Sequence, residues 1–237
     1  MTTQDWSDAM TAKAWDRTAE AHNPSRREQL DILVSVVEGL WQPDTWLLDL
    51  GCGSGQVEEL LFRRLPAAHV VGIDSSEAML AIARERLTDH LTRCQLVVGD
   101  LADLESVRLP DRAYRLAVAV QSLHHLEAGR MRAAYRWLFD RLEPGGVFLL
   151  LDRLRVPGPD AWPLLRLVWQ RQDRLEGSDL THHEGADLTD HQVRLDGRGD
   201  RPALLQEHLR WLADAGFSPT CLHLHANRAL VAGCKPL

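Results

Sequence analysis

The sequence predicts an α/β fold: a seven-stranded, mostly parallel sheet with an antiparallel last strand and helices on both faces. Three observations predict it. Between about residue 46 and 152, short apolar runs alternate with stretches whose apolar residues repeat at helical spacing. Such alternation gives βαβ units, and a parallel sheet must be covered on both faces. The chain then closes on two apolar runs joined by about two residues, a connection short enough to demand an antiparallel hairpin. The 237 residues, 45% apolar and 26% charged, suffice for a substantial core, and the whole chain, 1–237, is expected to form a single domain.

The elements follow in order. Trp46 to Leu50 is a strand that ends in a glycine cluster. Val57, Leu60, Leu61 and Leu65 mark a helix, which Pro66 ends. His69 to Ile73 is the second strand. Ser75 or Ser76 can cap the next helix, with Glu77 near its positive end and Met79, Ile82, Ala83 and Leu87 on its buried face. Gln95 to Val98 and Leu116 to Val120 are two more strands. Met131, Tyr135, Leu138 and Leu142 mark a helix, and Glu143 to Gly146 reads as a turn before the strand Val147 to Leu151. The alternation breaks after Asp152. Residues 153–200 read as an insertion with one helix around Trp162 to Arg174. A last helix, Leu204 to Ala215, stops at Gly216. Strands near Thr220 to His225 and Arg228 to Gly233 close the sheet.

Composition excludes several classes of function. The net charge is −7, from 27 basic and 34 acidic residues, whereas a polyphosphate binder usually carries a basic face. Arg63-Arg64 and Arg130, Arg132 and Arg136 read as solvated helix faces, so nucleic acid is not an expected partner. No run of 18 apolar residues occurs, so no membrane-spanning helix is expected. MTTQDWSDAM has no basic or apolar signal pattern, and Cys52, Cys94, Cys221 and Cys234 form no C-x-x-C pair. A cytoplasmic protein with reduced thiols and no structural metal is expected.

Chemistry concentrates in LLDLGCGSGQV, Leu47 to Val57. Asp49 precedes Gly51, Gly53 and Gly55, glycines that let the backbone turn sharply at the carboxyl edge of the sheet, where α/β folds bind ligands. Gln56 stands where a dinucleotide fingerprint needs glycine or alanine, and the loop lacks the lysine of a phosphate-binding loop. Asp74 ends the second strand, where a carboxylate can accept from two ribose hydroxyls. Asp100 ends the third, where it can accept from an exocyclic amine. Three acidic strand ends in register argue for a nucleoside ligand rather than for three unrelated loop residues.

With Asp49 to Gly55, Asp74-Ser75-Ser76, Gly99-Asp100-Leu101, Leu142 to Gly146 and Trp211 to Phe217, the chain resembles the class I S-adenosylmethionine-dependent methyltransferases, whose fold is Rossmann-like. The resemblance covers roughly residues 15–152 and 203–235. It implies S-adenosyl-L-methionine as cofactor. Asp49, Gly51, Cys52 and Gly53 would lie beneath its methionine part, Asp74 and Ser75 at the ribose, and Asp100 and Leu101 at the adenine. Met79 would cover the ring, and Gln121 would approach the methionine moiety. Residues 1–45 would form an N-terminal helical cap over the cofactor. Arg115 departs from the acidic residue frequent at the start of the fourth strand, a change at the far end of the strand from the site.

The acceptor is less legible. The fourth strand ends in Gln121-Ser122-Leu123-His124-His125-Leu126, without the Asn/Asp-Pro-Pro-aromatic motif of amide and base methylation. Lys13 and Lys235 are the only lysines, so the Lys-Asp-Lys-Glu set of ribose methylation cannot be built. The expectation is in-line methyl transfer to a small-molecule acceptor. A tRNA wobble-uridine alkyl transferase, a non-catalytic cofactor-binding protein and a nicotinamide oxidoreductase of related fold are the alternatives. His22, His124 and His125 are the candidate bases. In an extended chain His124 and His125 would point oppositely, so one of them should face the pocket. The insertion 153–200 is expected to form the acceptor side, with Trp162 and Trp169 either as core or as walls excluding water. Arg153 and Arg155 are placed to meet an anionic group or to lie on the surface. His182, His183, Glu184, Asp187, Asp190 and His191 read as a solvated acidic loop rather than a metal site, and His223 and His225 read as structural.

Overall fold

The computed structural model describes residues 8–18, 23 and 25–237. Seven strands form one sheet in the order β3-β2-β1-β4-β5-β7-β6. They are β1 (Trp46–Leu50), β2 (His69–Asp74), β3 (Cys94–Val98), β4 (Tyr114–Val120), β5 (Leu142–Arg153), β6 (Ser218–His225) and β7 (Arg228–Cys234). β1 to β5 pair in parallel, while β7 runs antiparallel to both β5 and β6. The antiparallel last strand is therefore inserted between two others rather than placed at the edge.

The period of two along each strand divides the core into two layers. Leu48, Leu50, Val71, Ile73, Ala117, Ala119, Phe148 and Leu150 face one layer, packed with Tyr135 and Leu138 of α5 (Ala128–Arg141) and Leu212 of α9 (Leu205–Ala215). Leu47, Val70, Leu116, Val118, Leu149 and Leu151 face the other. There they meet Leu33, Val34 and Val37 of α2 (Arg26–Leu40) and Leu61 and Phe62 of α3 (Gln56–Arg64). Burial on both faces explains why these strands read as continuous apolar runs.

β1 lies between β2 and β4, so successive crossovers leave it in opposite directions. The helices of the two directions cover opposite faces, and a crevice opens at the carboxyl ends of β1 and β4. α4 (Glu77–Arg86) starts beside that crevice, with Ser76 as its cap accepting from the Met79 amide at 3.1 Å.

Two expectations change. Glu143 to Gly146 is not a separate turn but the start of β5, whose register against β4 shifts there. Residues 153–200 carry three helices rather than one: α6 (Trp162–Glu176), α7 (Leu180–Glu184) and α8 (Leu188–Arg198). Val156, Trp162, Trp169 and Leu180 form a small core of their own beneath them. Between α6 and α7 Gly177 takes left-handed backbone, and Ser178, Leu180 and Thr181 bond the Asp173 carboxylate, ending the single helix that the sequence suggested. Among the described residues, no helix is long and apolar enough to cross a membrane.

Candidate functional site

A cavity of about 770 Å³ opens at the carboxyl edge of the sheet. Its first wall is the glycine loop between β1 and α3. Gly51 takes φ +81°, and a Cβ there would stand 2.3 Å from the Ser122 Cβ, so the loop closes onto the end of β4 only with glycine. Gly53 takes φ +54° with nothing within 4 Å of where a Cβ would project, which leaves its backbone open to a ligand. Its amide donates to Asp74 Oδ2 at 2.9 Å, and the Ser76 amide donates to Asp74 Oδ1 at 2.8 Å. The Asp74 carboxylate is thereby held in one orientation at the end of β2.

Gly51, Cys52, Gly53, Asp74, Ser75, Met79, Asp100, Leu101 and Gln121 all line this cavity. Asp100 Oδ1 accepts from the Ala102 amide at 2.8 Å, which fixes the carboxylate at the end of β3. Gln121 adopts φ +54° at the end of β4, a costly conformation for a side-chain-bearing residue, and its buried Nε2 has no hydrogen-bond partner among the described residues.

Asp49 is the exception. It is buried in β1 behind the loop and is not among the lining residues. Burial, then the neighbouring Glu58 carboxylate, pushes its pKa well up. Glu58, fully buried in α3, is pushed up to about 7, first by burial. The two acids form a withdrawn pair that supports the loop from behind.

The N-terminal segment covers the same wall. Thr11, Ala14 and Trp15 of α1 (Ala9–Thr18) line the cavity. Asp16 accepts from Ser54 Oγ at 2.5 Å, from Gln56 Nε2 at 2.8 Å and from Arg86 Nη2 at 2.9 Å. The residue that breaks the dinucleotide fingerprint, Gln56, thus ties α1 to the glycine loop. His22 lies outside the described residues.

The opposite wall is built by side chains. After Gln121 the chain makes a 3-10 turn, Leu123–His125, so His124 and His125 do not diverge as in a strand. Their rings stand 4.2 Å apart and both line the cavity. His124 is buried; its Nδ1–H donates to Asp152 Oδ1 at 2.5 Å, and its backbone amide donates to Asp152 Oδ2 at 3.0 Å. That leaves His124 Nε2 3.6 Å from Asp200 Oδ1, with His125 Nδ1 3.3 Å from the same oxygen. Burial, then its neighbour His124, lowers the His125 pKa, which keeps this ring neutral near pH 7. Burial works to raise the Asp200 pKa. His125, His124 and Arg153 outweigh it and hold the carboxyl well below the usual range. His124, His125 and Asp200 can bring three ligand atoms within 4.8 Å of one another, a spacing that admits a cation. Arg153 Nη1 and Arg198 Nε, each 3.5 Å from Asp200 Oδ2, already supply positive charge there.

Arg153 and Arg155 have opposite fates. Arg153 is buried against the cavity, whereas Arg155 is exposed and paired with Glu207 at 2.9 Å. Trp162 and Trp169 pack edge to face in the small core and are absent from the lining, so they are not walls of the pocket. The stretch 182–191 is no solvated loop. Glu184 is fully buried, accepting from Arg228 Nη2 at 2.9 Å and Arg153 Nη2 at 3.3 Å, and His191 Nδ1 bonds the Glu184 carbonyl at 2.8 Å. His223 contacts Gln29 Nε2 at 3.4 Å on the far edge strand, away from the cavity, and His225 shares its half-buried face. Sequence reasoning missed Asp152, Asp200 and Arg228, and read Glu184 as part of a solvated loop. Asp152 alone carried a signal, being a fourth acidic residue at a strand end.

Residues 47–146 match the model of a methyltransferase domain. The trans-aconitate 2-methyltransferase of Escherichia coli O139:H28 is 38% identical over 117 residues, 49% of this chain and 40% of the relative; that of Shigella flexneri matches equally. The match thus spans about two fifths of the length of these curated relatives. Among solved structures, an O-methyltransferase family protein from Burkholderia thailandensis has a TM-score of 0.70 at 16% identity, covering 97% of this chain and 60% of its own. The magnesium protoporphyrin IX methyltransferase of Synechocystis PCC 6803, solved with bound SAH, has a TM-score of 0.65 at 16% identity, covering 98% and 97%. These two likenesses are of fold.

Proposed function

We propose that the chain, whose residues 47–146 match a methyltransferase domain, is a class I S-adenosylmethionine-dependent methyltransferase and that it methylates a small molecule held against the side-chain-built wall of its cavity. The observation that carries the reading is that one cavity is lined both by the glycine loop with Asp74 and by the buried polar groups of His124, Asp200 and Arg153. Its volume, about 770 Å³, suits a nucleoside cofactor with a small acceptor beside it.

The residues fit the cofactor. Gly53 leaves its backbone open where a side chain would intrude, and Gln121 offers an unpartnered buried amide. The anchored Asp74 would hold the ribose hydroxyls, Asp100 the adenine amine, and Met79 and Leu101 the faces of the ring. The cofactor supplies an electrophilic methyl group on a good leaving group. The protein then has to align the acceptor in line and exclude water, which can supply much of the rate. α1, tied down through Asp16, covers the cofactor wall. Residues 183 and 198–200 from the insertion, with Arg201 just after it, complete the acceptor wall.

His124 is the positioned base for an acceptor that must lose a proton. Asp152 accepts its Nδ1 proton and fixes the tautomer, leaving Nε2 to take a proton. His125 supports it through Asp200. The net charge of −7 favours a small molecule over RNA as acceptor.

Calorimetry with S-adenosylhomocysteine and with NAD tests the cofactor: micromolar-range binding of the first and none of the second is expected, and the reverse overturns the proposal. Transfer of a labelled methyl group to trans-aconitate, the acceptor in the relatives' name, is the first acceptor assay. A gel shift with total tRNA at 150 mM salt should show no submicromolar complex; such a complex would promote the tRNA reading.

A further inference from the structure

Arg153 and Arg228 are direct cross-strand neighbours at the end of the β5–β7 pair. Like charges placed directly opposite on adjacent strands repel, so something must hold them together. Glu184 does part of this. Its Oε1 accepts from both guanidinium groups, while its Oε2 is taken by Asn227 Nδ2 at 3.3 Å and stands 3.3 Å from the ring of His191. That carboxylate is fully used. A third guanidinium, Arg198, joins the cluster with Nη1 donating to His183 Nε2 at 2.8 Å, which requires that nitrogen of His183 to be unprotonated.

Three guanidinium groups share two facing carboxylates, Glu184 and Asp200. The nearby Asp152 is engaged by His124 and by the Arg153 amide. His125 and His191 are held neutral by burial. Burial, then the charge of Arg153, lowers the pKa of both Arg228, to about 10, and Arg198. Not every N–H group finds an acceptor: Arg228 Nε and Arg198 Nη2 are buried without a hydrogen-bond partner among the described residues, and Arg153 Nη1 and Arg198 Nε make only the long 3.5 Å ion pairs to Asp200 Oδ2. The Arg153 and Arg228 side chains are more than nine-tenths buried, and all three arginines line the cavity. A buried N–H group left without an acceptor is costly, and planar guanidinium groups match a carboxylate best.

We infer that the acceptor carries a carboxylate that docks between Arg153 and Arg228, a subsite that rests on the methyl-transfer reading and names its substrate class. The docked carboxylate is not the methylated atom, since a guanidinium on the attacking oxygen would withdraw the charge that makes it a nucleophile. It fixes the acceptor so that its reacting atom faces the donor.

The test is calorimetry on the intact protein saturated with S-adenosylhomocysteine. The probes are acetate, benzoate, succinate and citrate, and their neutral amides. At least one carboxylate should bind, with its amide at least tenfold weaker. Arg153→Gln should abolish that preference, and Arg153→Lys should restore part of it. Because Arg228 and Asn227 still bond Glu184 in Arg153→Gln, the variant should stay folded. Arg228→Gln is the second variant should it not. Binding of S-adenosylhomocysteine should change less than threefold in each. If no carboxylate binds, or amides bind as well, the subsite is wrong while the methyl-transfer reading stands. If Arg153→Gln instead weakens S-adenosylhomocysteine tenfold, the arginines hold the amino-acid end of the cofactor and the inference is overturned. If the wild-type protein binds no S-adenosylhomocysteine, the methyl-transfer reading has failed, and this inference with it.

Discussion

Asp49 and Glu58, behind the glycine loop, and Glu184 and Asp200, across the cavity, are two pairs of carboxylates withdrawn from water. Burial acts on all four to favour the protonated form. Behind the loop it prevails: the nearest charges are each other's, and Glu58 is pushed up to about 7. Across the cavity it is outweighed. Arg153 and Arg228 hold Glu184 well below the usual range, and His125, His124 and Arg153 do the same for Asp200. The wall assigned to the cofactor is therefore made of backbone with the Asp74 and Asp100 carboxylates, backed by two buried acids that burial drives toward the protonated form. The wall assigned to the acceptor is made of permanently charged side chains. Amides aimed by a loop recognise one constant ligand, whereas charged side chains can be exchanged to suit a particular acceptor.

The largest effect expected from breaking the contrast is at Glu184. Glu184→Ala leaves Arg153 and Arg228 facing each other without the shared carboxylate. Loss of one partner of a buried ion pair costs about 3–5 kcal/mol, which urea unfolding at pH 7 will read. A loss below about 1 kcal/mol would mean that water already satisfies this cluster. In the wild type the carboxylates' contribution is complete above the ordinary values of 4.5 and 3.8 and is lost as the pH falls below them, because both native values are depressed.

Next in size is Asp74, one of the two carboxylates that the backbone-built wall presents to the cavity. Asp74→Ala removes the acceptor for two backbone amides and for the proposed ribose hydroxyls. Affinity for S-adenosylhomocysteine should fall by about 1.5–3 kcal/mol, roughly 10- to 150-fold. Unchanged affinity in calorimetry would remove Asp74 from the cofactor.

A change of opposite sign is expected at Glu58. Its native pKa, about 7, lies above the ordinary 4.5, so the folded state holds the proton more tightly and stability declines as pH rises between those values. Glu58→Gln keeps the shape and removes the titration. It should stabilise the protein by about 3 kcal/mol at pH 8 and be nearly neutral below pH 4.5. Thermal unfolding at the two pH values will show whether the difference between variant and wild type is pH-dependent. A constant difference would place Glu58 in an ordinary ionised state.

The two walls also differ in how far the sequence reveals them. Gly51, Gly53, Asp74 and Asp100 are set by local backbone demands, a positive φ or the end of a strand, which write themselves into short spacings. The seven strands were legible for the same reason, the central ones as continuous apolar runs because both of their faces are buried. Glu184, Asp200 and Arg228 have no such local signature. Glu184 reaches Arg153 and Arg228 from 31 and 44 residues away, and only tertiary packing determines that meeting. The acidic, histidine-rich composition of 182–191 therefore suggested a solvated loop, although Glu184 and His191 are buried. The paired histidines misled in the same way. Alternation assumes an extended chain, and the 3-10 turn at Leu123–His125 removes it.

The smallest expected effect sharpens the contrast within two residues of sequence. Arg153 and Arg155 look equivalent as a motif. Beyond β5, however, the Leu154 amide donates to the Asn227 carbonyl and the Arg155 amide to the Ala203 carbonyl, so the chain leaves the sheet between them. Arg155 then lies on the surface, its guanidinium half-exposed and paired with Glu207. Exposed pairs of this kind contribute about 0–1 kcal/mol, because water screens the attraction and ordering two long side chains costs entropy. Glu207 also accepts from the Leu204 amide at the start of α9, so its capping role persists without Arg155. Arg155→Ala should therefore lower stability by less than about 1 kcal/mol, with the loss shrinking in high salt. Carboxylate binding in the calorimetric assay should stay within twofold of wild type, where Arg153→Gln abolishes the preference. A tenfold loss at Arg155 would show that the acceptor reaches out of the buried cluster to the surface.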